Sequence, residues 1–403
     1  MGTPRHPPAL LGARAALFLL LAPLGACGGG GGAVLGHPVS VFPPGVLRGP
    51  MLALASPTSM TVAWTTDAAV VGSVEFGLAA PSGTTVADTA PVRDHALALA
   101  GLAAGTTYHY RILVDGAPVA GDYVFTTPPS DPAAPVRFVV VGDTGTGAAT
   151  EFEVIARLEA EAPDFVLHVG DLAYDHGTTT DVLERFTIPF APTMAHVPLY
   201  AVLGNHDVDT ANGKPFLDAV VLPTNPVDGT EHFYSFDWGP CHCAALDSNA
   251  DLSVGSPQRT WLDADLAASP ARWKFVFFHH PVWSSSSHGG RTDLQASLSP
   301  VLEAHGVDVV WSGHDHDFER TFPLVGPTPV NAGEEPDYAS PPGPIYVVTG
   351  GGGKGLYESG TSTFTAFSES AYHVTVVDVA GPTLTITAVR VDGTVMDRAS
   401  ITK

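Results

Sequence analysis

The sequence predicts an α/β fold, a layered β-sandwich flanked by helices and preceded by a smaller all-β sandwich domain. Three observations carry this reading. From about His37 to Thr127 the chain runs in short alternating stretches, with Gly, Pro and Asp between them and no helical periodicity. After Val136 it switches to continuous apolar runs separated by helix-like segments, and after Ile345 it turns strand-rich again. Alternation marks strands with one wet face, whereas unbroken apolar runs mark strands covered on both faces.

Length and composition agree. At 403 residues the chain exceeds one small core, so two domains and a targeting segment are expected. A hydrophobic fraction of 45% with 15% charged residues excludes a chain disordered throughout. Acidic residues outnumber basic ones, 41 to 18, for a formal charge of −23. That is the wrong sign for a binder of nucleic acid or anionic lipid, and no nucleic-acid binding is expected. The 17 His nearly equal Lys and Arg combined, so where they cluster matters.

The N-terminus reads as a targeting segment. Arg5 and Arg14 precede an apolar run, Ala15 to Leu24, too short to span a bilayer. It ends in Leu24-Gly25-Ala26-Cys27, followed by five glycines. This resembles a bacterial lipoprotein signal over residues 1–26, with Cys27 receiving lipid and residues 27–36 serving as a flexible tether. Ordinary signal-peptidase cleavage and an uncleaved anchor are the alternatives. The expectation is an exported protein of the bacterial envelope, touching membrane only through the anchor, or a secreted one. Cys241 and Cys243 lie two apart near a Gly-Pro turn, where a disulfide would close a strained ring, so buried free thiols are expected.

Residues 37–127 supply strands at Thr61–Thr65, Gly72–Gly77, His95–Leu99 and Thr107–Ile112, then a Pro-rich linker over 128–135. The second domain, 136–403, opens with a strand at Val136–Val141 and a helix at Thr150–Ala162. Further strands are predicted at Asp164–Val169, Pro198–Leu203, Trp273–Phe278 and Val307–Trp311, with helices at Pro257–Ala268 and Asp293–His305. Strands at Ile345–Thr349, Tyr372–Val379, Thr383–Val391 and Thr394–Ile401 finish the sheet.

Each apolar run in this second domain ends in a polar cluster. In order these are Gly142-Asp143, Gly170-Asp171-Leu172-Ala173-Tyr174, Gly204-Asn205-His206-Asp207, His279-His280-Pro281 and Gly313-His314-Asp315-His316. Ligands bind beyond the carboxyl ends of strands in such sheets, where loops converge. Carboxylate, amide, imidazole and phenol with no thiolate suit hard or borderline cations, and two ions bridged by a carboxylate suit displacement at phosphorus. A lone Gly-Asp would be a turn. Five ordered clusters make a metal site.

The clusters, with Tyr174 in Gly-Asp-x-x-Tyr, His279-His280-Pro281-Val282-Trp283-Ser284 and Gly313-His314-Asp315-His316-Asp317-Phe318-Glu319-Arg320, resemble the metallophosphoesterase superfamily and within it the purple acid phosphatases. The Gly101 to Arg111 stretch is similar to a fibronectin type III signature, a domain shared with larger members of that family. The resemblance implies an acid phosphatase that hydrolyses phosphate monoesters through a dinuclear metal centre and a metal-bound hydroxide. Asp143, Tyr174 and His316 would hold ferric iron; Asn205, His279 and His314 would hold iron, zinc or manganese; Asp171 would bridge. His206 would hydrogen-bond a phosphate oxygen, and His288 would protonate the leaving alcohol. The same site acting on diesters or nucleotides is the alternative, with a surface binding protein carrying a vestigial site as a third reading. His280 reads as structural, Arg291 and Arg320 as surface or packing charges, and Gly350 to Gly353 as a rim loop rather than a phosphate loop, since no Ser or Thr follows Lys354.

Overall fold

Alternating strands fold the N-terminal region into two stacked sheets. The structure is a computed structural model that describes residues 42–80, 83–119 and 121–403, so the expected signal segment (1–26), Cys27 and the expected tether lie outside the described residues. Strands β1 (Val46–Ser56), β2 (Ser59–Val70), β3 (Gly72–Gly77), β4 (Thr84–Ala87), β5 (Val92–Ala100), β6 (Thr107–Val114), β7 (Ala117–Pro118) and β8 (Tyr123–Thr126) pair antiparallel. One sheet runs β1-β2-β5, the other β4-β3-β6-β7, with β8 also on β6. In β5, His95, Leu97 and Leu99 are buried while Ala96 and Ala98 are exposed, the period-two pattern of a strand with one wet face. Those side chains join Met60, Val62, Trp64, Val74, Ile112 and Phe125 in a core shared by both sheets.

The second domain holds β9 (Val136–Val141), β10 (Phe165–His168), β11 (Leu199–Ala201), β12 (Tyr234–Trp238), β13 (Cys241–Ala245), β14 (Trp273–Phe277), β15 (Val309–Ser312) and β16 (Phe318–Thr321). A short hairpin, β17 (Leu324–Val325) and β18 (Thr328–Pro329), precedes β19 (Asp337–Ala339), β20 (Ile345–Thr349), β21 (Thr365–Glu369), β22 (His373–Ala380), β23 (Thr383–Arg390) and β24 (Val395–Thr402). They form two seven-stranded sheets, β11-β10-β9-β22-β23-β24-β19 and β12-β13-β14-β15-β20-β16-β21. The strands β9, β10 and β11 are mutually parallel, as are β13, β14, β15 and β20.

Why the central strands lack alternation is now visible. On β14, Trp273, Phe275 and Phe277 face the other sheet, where Phe275 meets Phe138 edge-on at 5.2 Å. Val276, between them, belongs to a separate apolar layer with Leu262, Leu266, Leu294, Leu298 and Leu302 of the helices outside that sheet. Both faces are dry along Phe275–Phe277, so those positions are all apolar, and only Lys274 at the start of the strand breaks the run. Val154, Ile155 and Leu158 of the helix Ala149–Ala160 bury against the first sheet. The layers are helix, sheet, sheet, helix.

Two local expectations are corrected. The helix expected over Asp293–His305 is two, Thr292–Ser297 and Ser299–Ala304, because Pro300 has no N–H to extend the ladder from the preceding turn. A helical stretch over 179–194, including a π-turn at Leu183–Thr187, escaped the sequence reading because Pro189 and Pro192 mask its periodicity. Cys241 and Cys243 are buried and free, as expected. Among the described residues no helix is long and apolar enough to cross a membrane.

The two domains share a buried contact. The Tyr110 hydroxyl on β6 donates to the Ala195 carbonyl at 2.7 Å, and Met51 and Ala63 enter the core cluster of the second domain.

Candidate metal centre

Parallel strands in register end on one side, and the polar clusters follow those ends. His168 of β10 pairs with Val141 of β9 and Ala201 of β11, so Asp143, Asp171 and Asn205 emerge side by side. Phe277 pairs with Trp311 in the other sheet and sends out His279 and His314. A hydrogen bond from His279 Nδ1 to the Val169 carbonyl, 2.9 Å, ties the two rims together.

All seven residues expected as metal ligands meet here. Asp143, Asp171 and His279 are fully buried and present donor atoms within 4.8 Å of one another. The Tyr174 hydroxyl lies 3.0 Å from Asp143 Oδ1 and 3.2 Å from His316 Nε2. Asn205 Oδ1 lies 3.0 Å from His279 Nε2 and 2.9 Å from His314 Nδ1. Asp171 Oδ2 is 3.5 Å from His279 Nε2, and His316 Nε2 is 3.6 Å from Asp143 Oδ1.

The donor set fits cations. A carbonyl only accepts, so His279 Nδ1 carries a hydrogen toward Val169 and His316 Nδ1 carries one toward Gly355, 2.9 Å away. With Nδ1 carrying the hydrogen, each Nε2 faces oxygen atoms of Asn205, Asp171 or Asp143. Acceptors facing acceptors at these distances repel unless a proton or a metal ion lies between them. Burial, and after it the Asp143 carboxylate, pushes the Tyr174 phenol far above its ordinary pKa, so a phenolate here requires a nearby cation. Burial also raises the Asp143 carboxyl. Burial pulls His279 down, yet the Asp171 carboxylate beside it carries the ring up to about 10. Burial lowers His314 to about 2 and His316 to about 4, leaving both rings neutral and able to ligate.

The backbone is bent to aim these groups. Asp143, Asp171 and His314 all adopt left-handed φ, +60°, +54° and +70°. Such conformations cost energy for residues with a Cβ and persist where surrounding structure enforces them. A side chain at Gly204 would strike Asp171, and one at Gly313 would strike Asp143.

The remaining candidates border the site. His206 donates its backbone N–H to Asp171 Oδ1 (3.0 Å), and its ring lies 4.6 Å from that of Tyr174. The exposed His288 ring stacks 4.3 Å from His314. His280 bonds Ser248 Oγ through Nδ1 at 2.8 Å, a structural contact, though its ring sits 4.6 Å from His314. Arg291 pairs with Asp293, and the fully buried Arg320 with Asp397 and Glu335, so both serve packing. The glycine run is a rim loop: Lys354 donates its N–H to the Asp143 carbonyl, and its ammonium sits 4.1 Å above the Tyr174 ring.

Sequence reasoning missed three neighbours. Buried Asp207 accepts backbone N–H groups of Leu172, Ala173 and Gly204, locking two clusters together; an acidic residue three positions after the helix-opening Gly204 was the available signal. Tyr357 stacks 4.1 Å from His316 and reaches His288 with its hydroxyl at 3.3 Å. Asp315 lies between two candidate ligands and bonds the serine loop.

Comparison with known proteins agrees with this geometry. The calcineurin-like phosphoesterase family matches residues 136–318. Purple acid phosphatase 22 of Arabidopsis thaliana is 29% identical over 297 residues, an alignment covering 69% of this chain and 64% of that protein, so the chain spans just under two thirds of that relative. A nucleotide pyrophosphatase/phosphodiesterase of Hordeum vulgare is 28% identical over 300 residues, covering 65% of this chain and 81% of the relative. The structure of a purple acid phosphatase from yellow lupin (Lupinus luteus) seeds superposes with a TM-score of 0.76 at 23% identity, covering 88% of this chain and 74% of the other. Residues 136–318 are thus similar to the calcineurin-like phosphoesterases, the chain has a metallophosphoesterase fold, and purple acid phosphatases are among its homologues.

Proposed function

We propose that the protein hydrolyses phosphate monoesters at a dinuclear metal centre. Asp143, Tyr174 and His316 would hold one ion, Asn205, His279 and His314 the other, and Asp171 would lie between them. The observation that carries the reading is the convergence of seven oxygen and nitrogen donors, two of their imidazoles anchored through Nδ1 to backbone carbonyls, on one buried point where positive charge is called for. Bound there, two ions neutralise phosphoryl oxygens and acidify an attacking water. Iron in the Tyr174 half would give a visible tyrosinate band, and iron, zinc or manganese suits the other half.

The chain's own groups do the rest. His206, anchored through its backbone to Asp171 and through Nδ1 to the Asp175 carbonyl at 2.6 Å, presents its ring to a phosphate oxygen. His288, exposed at the rim, gives a proton to the departing alcohol. The same residues would accept a diester or nucleotide, a second reading favoured by the similarity to the Hordeum vulgare nucleotide pyrophosphatase/phosphodiesterase. Export with a lipid on Cys27 and membrane contact through that lipid alone is part of the proposal, as is a fibronectin-like N-terminal domain.

Metal content and phosphatase rate on wild type and Asp171→Ala test the core of it. Wild type should hold two ions per chain, and the variant should lose at least about 10³-fold in kcat, as removal of a principal electrostatic group does. Undiminished activity in the variant overturns the site. A parallel assay on a phosphodiester separates the two substrate readings.

A further inference from the structure

The loop that carries His288 is held by a side chain not yet given a role. Ser284 to His288 run from a buried Ser284 up to an exposed Ser287 and His288, and the glycine and serine content of this loop gives it little stiffness of its own. Beneath it lies Asp315, 0% exposed, between His314 and His316 in sequence. Its Oδ1 accepts the His288 backbone N–H at 2.8 Å, and its Oδ2 accepts the Ser284 hydroxyl at 2.5 Å. The ion pairs found among the described residues include none for Asp315. A buried carboxylate without a base partner is costly, and here its two oxygens are both spent on one loop.

We propose that Asp315 is a positioning residue for proton delivery: it fixes the His288 ring at the metal centre by clamping that residue's backbone to the strand end bearing His314 and His316. The inference rests on the phosphatase reading. From above, the Tyr357 hydroxyl meets His288 Nε2 at 3.3 Å while its ring stacks on His316, so the imidazole is located from two sides. In the step served, an oxygen of water bonds to phosphorus as the P–O bond to the ester oxygen breaks. The released electron pair stays on that oxygen, which takes the imidazolium proton, leaving alcohol, phosphate and neutral His288. An alkoxide leaves poorly without that proton, whereas a dinitrophenolate scarcely needs it.

The test compares ethyl phosphate with 2,4-dinitrophenyl phosphate on the full chain loaded with metal. The ratio of the two kcat values cancels any change in metal occupancy. Asp315→Ala should lower kcat on ethyl phosphate about 10²-fold and shift the ratio by at least about ten-fold, the scale of a general acid. Asp315→Asn, which keeps one acceptor oxygen, should restore much of it. His288→Ala should shift the ratio alike, and the double variant should add little to either. Amide exchange over residues 284–290 should quicken in Asp315→Ala. An unchanged ratio, multiplicative losses in the double variant, or unaltered exchange overturns the proposal. Inactivity of wild type on dinitrophenyl phosphate sinks the phosphatase reading, and this inference with it.

Discussion

The two domains treat buried charge in opposite ways. In the N-terminal sandwich the buried polar side chains among the described residues are Thr61, Thr66, Ser73 and His95, with Thr127 at its end, and His95 is the one ionisable side chain of these. The second domain buries Asp143, Asp171, Asp207, His279, Asp315 and His316 around the metal centre, and Glu151, His168, His242, Asp247, Asp308, Asp317, Glu319, Arg320 and His373 besides. Burying ionisable groups costs stability, so those gathered at the centre mark where chemistry rather than packing chose the residues, while Arg320 and His242 sit in structural ion pairs. The contrast says which domain catalyses, and it separates charges kept for the site from charges kept for structure.

After Asp171→Ala, the largest expected effect comes from a change that touches no charge. Gly204→Ala places a methyl against Asp171 Oδ1 and its backbone nitrogen, and kcat should fall by about 10²-fold or more through displacement of reacting groups, with far-ultraviolet dichroism unchanged. If activity is retained, the rim is softer than the contrast implies. Next is Arg320, whose Nε and Nη2 clasp Asp397 at 2.6 and 3.0 Å while Nη2 also meets Glu335 at 3.0 Å. Arg320→Met strands a buried carboxylate, and denaturant titration should report a loss of about 3–5 kcal/mol, partly restored by adding Asp397→Leu.

A smaller effect follows from His242, held between Asp237 at 2.7 Å and Asp265 at 2.9 Å. Burial opposes its charge, but the two aspartates win and lift it to about 9 in the folded state. A raised folded pKa contributes stability below the unfolded value of 6.5 and loses it as pH climbs through 9. Stability should therefore drop by about 1–2 kcal/mol between those limits, discounted because Asp237 is exposed, and the slope should vanish in His242→Gln. A slope that persisted would place the responsible group elsewhere. The smallest, Tyr110→Phe, removes the hydrogen bond to Ala195 between the domains and should cost about 1 kcal/mol without altering kcat.

Much of the site was legible because each ligand type followed an apolar strand, and parallel register carries strand ends to one place. Val136–Val141 and Pro257–Ala268 occur with the bounds expected of them. What the sequence hid was conformational. The left-handed backbone at Asp143, Asp171 and His314 leaves no compositional mark, since Asp and His are neither Gly nor Pro. Asp315 carried no signal of its own between two histidines, because its partner, the His288 N–H, is set by tertiary folding rather than by spacing. The helical stretch over 179–194 was obscured by its own prolines, which tertiary packing of Phe186, Phe190 and Met194 overrides.

The placement of β9 has a consequence for how the chain comes to exist. This strand, which leads into Asp143, is hydrogen-bonded on one side to β10 and on the other to β22, whose Thr375 to Val379 lie more than two hundred positions later. During synthesis every expected ligand, from Asp143 to His316, leaves the ribosome before the partner that closes the sheet around the first of them. The centre is therefore among the last features a nascent chain completes, and metal taken up earlier would meet an open edge rather than a finished cradle.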